Sequence, residues 1–116
     1  MSPDEFIEVF EGRLLAEGLV EPAVTVDLSP GRSAVSLDRI HVTPDMRKYG
    51  TAARVLLLIT QLSDESGVHI EVIPRSLEDG SMGDEALAAW YQRNDFQCAP
   101  TKDTPRLMRR AAKAAC

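Results

Sequence analysis

A chain of 116 residues, 44% hydrophobic and 27% charged, has the length of one domain and enough apolar side chains for one small core. Its formal net charge of -5 speaks against broad nucleic-acid binding. Two cysteines make no disulfide framework, no apolar run has the length of a membrane span, and the acidic start Met1-Ser2-Pro3-Asp4-Glu5 is no secretory leader, so a reducing cytoplasm is the expected compartment.

Ser2-Pro3-Asp4-Glu5 has the composition of a helix start, with Ser2 as cap, Pro3 at the first helical position and Glu5 placed for a capping box. Phe6, Phe10 and Leu14 follow at helical spacing, and Gly18 suits the C-cap. Pro22 breaks the chain. Ala23 to Leu28 then alternates as a strand. Ser29-Pro30-Gly31-Arg32 fits a type II turn, and Ser33 to Val42 is the returning strand of an antiparallel hairpin. On that strand simple alternation puts Ser36, Asp38, Ile40 and Val42 on one face and Leu37, Arg39 and His41 on the other.

Next comes Arg47-Lys48-Tyr49-Gly50-Thr51-Ala52, and then an apolar helix from about Thr51 to Ser63. The first N–H groups of a helix have no internal acceptor and carry partial positive charge, so this junction suits an anion such as phosphate. Most such stretches between a strand and a helix are ordinary turns, and this one is neither a Walker loop nor a dinucleotide fingerprint. Val68 to Ile73 is the next strand and completes a βαβ unit, so the strands flanking the helix should run parallel.

Beyond the polar loop Arg75 to Gly83, Asp84 or a neighbour caps a helix over Glu85 to Arg93, with Leu87, Trp90 and Tyr91 on its apolar face. Asn94 is placed for a left-handed cap. Phe96 to Cys98 and Arg106 to Arg110 are short strands, and Ala111 to Cys116 is a tail expected to fray. The expected architecture is one domain over 1–116, of mixed α/β class. It has an N-terminal helix, an antiparallel hairpin, a central βαβ unit and a C-terminal aromatic helix. The acidic first helix and the basic tail (Lys102, Arg106, Arg109, Arg110, Lys113) are read as solvated faces. His41 and His69 have no metal-ligand spacing with Cys98 or Cys116, so no metal site is expected.

Two stretches carry a resemblance. Arg47-Lys48-Tyr49-Gly50-Thr51-Ala52 fits the pattern Arg/Gln-x-x-Gly-x-Gly/Ala at each specified position. Tyr91-Gln92-Arg93-Asn94-Asp95-Phe96 fits Tyr-x-x-x-Gly-Phe, except that Asp95 stands where glycine is usual. In this order and on these elements the chain resembles the GCN5-related N-acetyltransferase (GNAT) family, well from Ala34 to Phe96 and loosely from there to Arg110.

The resemblance implies transfer of an acetyl group from acetyl-CoA to a primary amine, on a protein lysine or a small molecule, by direct attack. Backbone amides of Arg47, Lys48, Tyr49, Gly50, Thr51 and Ala52 would hold the pyrophosphate. Ile40, His41 and Val42 would pair with the pantetheine arm, and Asp84 stands where an asparagine often contacts the cofactor. Tyr91 would be the general acid for the departing thiolate, since an ordinary phenol has a pKa of about 10, near that of a thiol. From the residues alone Tyr91 reads first as a core aromatic beside Trp90.

Asp38 is the first candidate base and Glu71 the second. Asp38 also reads as an exposed strand carboxylate or the ion-pair partner of Arg39 or Arg54. A backbone N–H near Val42 would meet the tetrahedral oxyanion. Neither Cys98 nor Cys116 is placed as a nucleophile. The short N-terminal region implies an open cleft, or a pocket completed by a second subunit in a homodimer. The alternative is a non-catalytic module of the same fold that binds acyl-CoA or has lost it. No nucleic-acid or membrane partner is expected.

Overall fold

The computed structural model describes residues 1–20, 23–32, 34–43, 50–74 and 84–112. The elements, in chain order, are α1 (Pro3–Ala16), β1 (Val24–Pro30), β2 (Ala34–Val42), α2 (Thr51–Ser66), β3 (His69–Val72), α3 (Asp84–Arg93), β4 (Gln97–Cys98) and β5 (Met108–Arg110).

Both ends of α1 form as the sequence dictates. The Ser2 hydroxyl accepts from the Glu5 N–H at 3.2 Å. Gly18 takes a φ of +72°, which lets the Leu19 N–H donate back to the Leu14 carbonyl at 2.9 Å. Phe6, Phe10 and Leu14 are buried, as their spacing predicts. Burying a side chain of the size of Phe6 or Phe10 contributes roughly 1.5–3 kcal/mol. Helix α2 runs three residues past Ser63, because the left-handed cap is Gly67 (φ +76°), whose N–H donates to the Ser63 carbonyl at 2.9 Å. Its buried side is Thr51, Val55, Leu56, Ile59, Thr60, Leu62 and Ser63, whereas Leu57 is 54% exposed.

The sheet order is β1-β2-β3-β5-β4. The hairpin pair β1–β2 is antiparallel, β2–β3 parallel, and β3–β5 and β5–β4 antiparallel. The expected parallel βαβ unit is therefore present. Val24, Val35, Leu37, Ile70, Val72 and Met108 join α1 and α2 in one core. Among the described residues no helix is long and apolar enough to cross a membrane.

Three details depart from simple expectation. The chain reverses two residues later than Ser29–Arg32: β1 includes Pro30, and the Gly31 N–H donates to the Ala34 carbonyl at 2.8 Å. Gly31 is used for close approach, since a Cβ there would lie 2.8 Å from the Ala34 oxygen. Arg110 is not solvated. Only 5% exposed, its guanidinium donates to both oxygens of Asp64 at the end of α2, at 2.9 and 3.0 Å. Its topology explains this, because β5 lies inside the sheet between β3 and β4 and Arg110 pairs with the core residue Ile70. The third detail, on β2, builds the site.

Candidate active site

Strand β2 contains one residue too many for its partner. Asp27 pairs with Arg39 and Leu28 with Leu37, so Asp38 lies opposite nothing and forms a β-bulge. The extra residue inverts the alternation. Val35 and Leu37 face the core before it, and Val42 with half-buried Ile40 faces the core after it. The single-face set Ser36, Asp38, Ile40 and Val42 is thus divided. Ile40 and Val42 lie with the core, opposite Val26 and Val24. His41, set apart from Asp38 by simple alternation, falls on the polar face, opposite Thr25. The signal was present in the sequence: the apolar positions 35, 37, 40 and 42 step by two, three and two.

The bulge also marks where two strands part. The parallel ladder of β2 and β3 runs from Ala34↔His69 to Leu37↔Val72 and stops there, although β2 continues to Val42. At this fork lies a cavity of about 210 Å³, lined by Ser36, Leu37, Asp38 and Ile73. Asp38 is held from two sides. The Ser29 hydroxyl donates to its Oδ2, and the Ser36 hydroxyl donates to its Oδ1 at 3.0 Å. Neither suggested ion pair exists: Arg39 Nε meets Asp27 at 3.2 Å, and Arg54 pairs with Glu17 on α1. Ser29 was missed as a site residue because its link to Asp38 depends on the hairpin register. Glu71 lies on the polar face of β3, half-buried, across from Ser36 and Arg109.

Beyond β2 the chain arrives at Gly50, whose left-handed backbone (φ +68°, ψ +26°) is the N-cap of α2. Gly50, the N-cap residue, has no side chain with which to cap this helix end. Thr51 is buried, Ala52 half-buried and Ala53 exposed, so the head of the helix is flanked by small side chains. Arg47, Lys48 and Tyr49 lie outside the described residues. Of Asp84 the backbone alone is described, as the first residue of α3.

Tyr91 is 4% exposed, with ring centroids 5.1 Å from both Trp90 and Phe96. It is not among the described residues lining the cavity at Asp38. Burial pushes its hydroxyl up to about pKa 12, so the phenol keeps its proton at neutral pH. The end of α3 explains the Tyr-to-Phe spacing. Asp95, in place of the expected Asn94, takes the left-handed conformation (φ +69°). The Asp95 N–H then donates to the Gln92 carbonyl at 3.2 Å and the Phe96 N–H to the Tyr91 carbonyl at 3.1 Å. Asn94 instead uses its side-chain amide, which donates to the Trp90 carbonyl at 2.8 Å.

No protein-family model matches the chain, and no curated protein matches it in sequence. Solved structures do resemble it. The anti-CRISPR protein AcrVA5 is 25% identical with a TM-score of 0.61, over 75% of this chain and 88% of that one. The two share a fold, a mixed sheet with helices of the kind described above. The KacTA–DNA complex is 16% identical with a TM-score of 0.44, and its match spans 76% of this chain and 55% of that one, too slight a likeness to bear on the fold. The five-stranded order and the central parallel unit are compatible with a GNAT-like fold.

Proposed function

We propose that this chain is a GNAT-type N-acetyltransferase that moves an acetyl group from acetyl-CoA to a primary amine. One observation carries the reading: the parallel strands part at the bulge residue Asp38, and the longer strand leads toward a helix headed by Gly50. A fork of this kind admits an extended substituent beside β2, and the N-terminus of α2 is a ready site for the pyrophosphate of the same molecule. The likeness to AcrVA5 supports the reading at the level of fold.

In this reading Gly50, Thr51 and Ala52, with Arg47, Lys48 and Tyr49 before them, hold the pyrophosphate. The segment Ile40, His41 and Val42 flanks the pantetheine arm, and Asp84 stands near the cofactor. The amine nitrogen attacks the thioester carbon, the C–S bond breaks, and the thiolate leaves. Asp38 takes the amine proton directly or through water, with Glu71 as the second candidate. Tyr91 faces a thiol whose ordinary pKa is about 8.5, so full proton transfer from a phenol at about 12 is uphill. Its role is donation of a hydrogen bond to the developing thiolate, with the proton itself supplied by solvent.

Acceptors are protein lysines or small aliphatic amines. Because AcrVA5 is an anti-CRISPR protein, components of CRISPR effectors are the first protein acceptors to test. The test is release of CoA from acetyl-CoA in the presence of lysine amide, with Tyr91→Phe alongside. Turnover that falls at least about tenfold in the variant, with acetyl-CoA affinity retained, supports the role. A fully active variant removes Tyr91 from the mechanism.

A further inference from the structure

Strand β1 lies at one edge of the sheet, with β2 on its inner side and no strand on its outer side among the described residues. Two hydrogen bonds fix which of its backbone groups point outward. The Thr43 N–H donates to the Ala23 carbonyl at 3.0 Å, and the Gly31 N–H to the Ala34 carbonyl at 2.8 Å. In an antiparallel ladder, residues that bond the neighbouring strand alternate with residues that turn away from it. Counted from either end, Thr25, Asp27 and Ser29 bond β2, whereas Val24, Val26, Leu28 and Pro30 turn outward. The bulge adds its extra residue to β2, so it leaves this count on β1 undisturbed.

The outward edge is short and bounded. The Val24 N–H is taken by the Val20 carbonyl at 3.1 Å, and Pro30 has no N–H. Between these limits Val26 and Leu28 each present an N–H and a C=O that no described residue bonds. The groups are symmetric about Asp27. A second copy laid antiparallel, with Asp27 opposite Asp27, brings Val26 opposite Leu28 on both sides of the axis and closes a hydrogen bond at each of these groups. The side chains agree with this register. Val26 and Leu28 are half-buried on the core side. Asp27, the only charge of β1, lies on the polar side and is paired with Arg39 at 3.2 Å. An unpaired charge helps to keep an edge strand solitary, and here that charge is neutralised within the chain. Two such pairs meeting at the axis form a neutral cluster of carboxylates and guanidinium groups.

We infer that the chain forms a two-fold dimer through β1, which joins the two sheets into one. The same register sets Thr25 of the second copy opposite Ser29, the residue that donates to Asp38, so the interface adjoins the candidate site. So few backbone bonds make a weak dimer, with a Kd between about 1 µM and 1 mM. The dimer stands or falls independently of acetyl-CoA binding.

Sedimentation velocity from about 5 µM to 1 mM should show monomer giving way to dimer. Added salt should favour the dimer, because each copy carries a net charge of -5. Amide hydrogen exchange on the same samples should slow at Val26 and Leu28 as concentration rises. Thr25 and Asp27, bonded to β2 in the monomer, should change little. Asp27→Lys sets only cations at the axis and should weaken association at least about tenfold, and adding Arg39→Asp should restore it. Both side chains are about half exposed, so the fold tolerates the changes. In a Cys98→Ser/Cys116→Ser background, Asp27→Cys should cross-link on oxidation, since opposed residues at such a position lie about 4.5 Å apart at Cα. Glu8→Cys on α1 in the same background should not. A chain that stays monomeric at about 1 mM, or a dimer that leaves exchange at Val26 and Leu28 unchanged, overturns the inference.

Discussion

Phe96 folds back on Tyr91: its N–H donates to the Tyr91 carbonyl at 3.1 Å, and the two rings meet edge to face at 5.1 Å. The backbone of Asp95 makes this possible by taking a φ of +69°, a conformation that glycine adopts freely and other residues adopt at a cost. The aspartate therefore does in strained form what the glycine of the Tyr-x-x-x-Gly-Phe pattern does without strain. Asp95→Gly should leave stability within ~0.5 kcal/mol of wild type or raise it. Asp95→Val, with a branched Cβ in the left-handed region, should cost ~1–2 kcal/mol. Urea denaturation of both variants reads the difference, and equal stabilities would show that the cap does not constrain the helix end.

Tyr91 supplies a pH prediction. Its hydroxyl is raised by burial to about 12, against an ordinary 10. The neutral form is the one the fold favours. The associated stability is fully present below about pH 10 and is lost as pH rises through about 12, on the order of 2–3 kcal/mol in total. Spectrophotometric titration should show one phenol ionising near the top of that range, and Tyr91→Phe should remove that step. A titration complete by pH 10.5 with both tyrosines intact contradicts the burial.

The ion pair of Arg110 with Asp64 ties β5, the fourth strand in the sheet order, to the end of α2. Removing one partner leaves a guanidinium buried without its counter-charge. Asp64→Asn should destabilise by ~2–4 kcal/mol, the Asp64 side chain itself being one-third exposed. The double change Asp64→Leu with Arg110→Met should recover much of the loss. Thermal unfolding checks both, and a single variant as stable as wild type would show that solvent replaces the pair.

Gly31 gives a local test of the hairpin. A methyl group there meets the Ala34 carbonyl oxygen at 2.8 Å, a backbone atom with little freedom to retreat. Gly31→Ala should cost ~1–3 kcal/mol by overpacking, measured by denaturant midpoint. Gly12→Ala, in open space on α1, should be neutral or stabilising and serves as the control.

Order and type of the elements were legible because hydrophobic period and end residues agree in this chain. Ser2, Phe6, Phe10, Leu14 and Gly18 specify α1 almost alone, and the run from Thr51 to Leu62 between two β-rich segments specifies a βαβ unit. What simple alternation loses is register. A bulge changes no residue type, so Asp38 looks like one more outward position until the apolar steps at Leu37 and Ile40 are counted. The Pro30-Gly31 pair signals a turn but does not say which residues it joins, and the observed reversal starts at Gly31. Arg110 could not be distinguished from a solvated basic tail, since its burial depends on β5 lying between β3 and β4. Of the candidate site residues, the helix head at Gly50 and the aromatic pair Tyr91–Phe96 were readable from spacing as structural features. The Ser29–Asp38–Ser36 arrangement belongs to the pairing of two strands and appears only when they are aligned.

Acetyl-CoA binding tests the central claim most directly. Calorimetric titration of the wild-type chain should give saturable binding at one site. Gly50→Val, which forces a branched residue to a φ of +68° at the head of α2, should weaken that binding at least about tenfold. The same affinity in both proteins would contradict the placement of the pyrophosphate at this helix end. No binding to the wild type at millimolar acetyl-CoA would contradict the acetyltransferase reading itself.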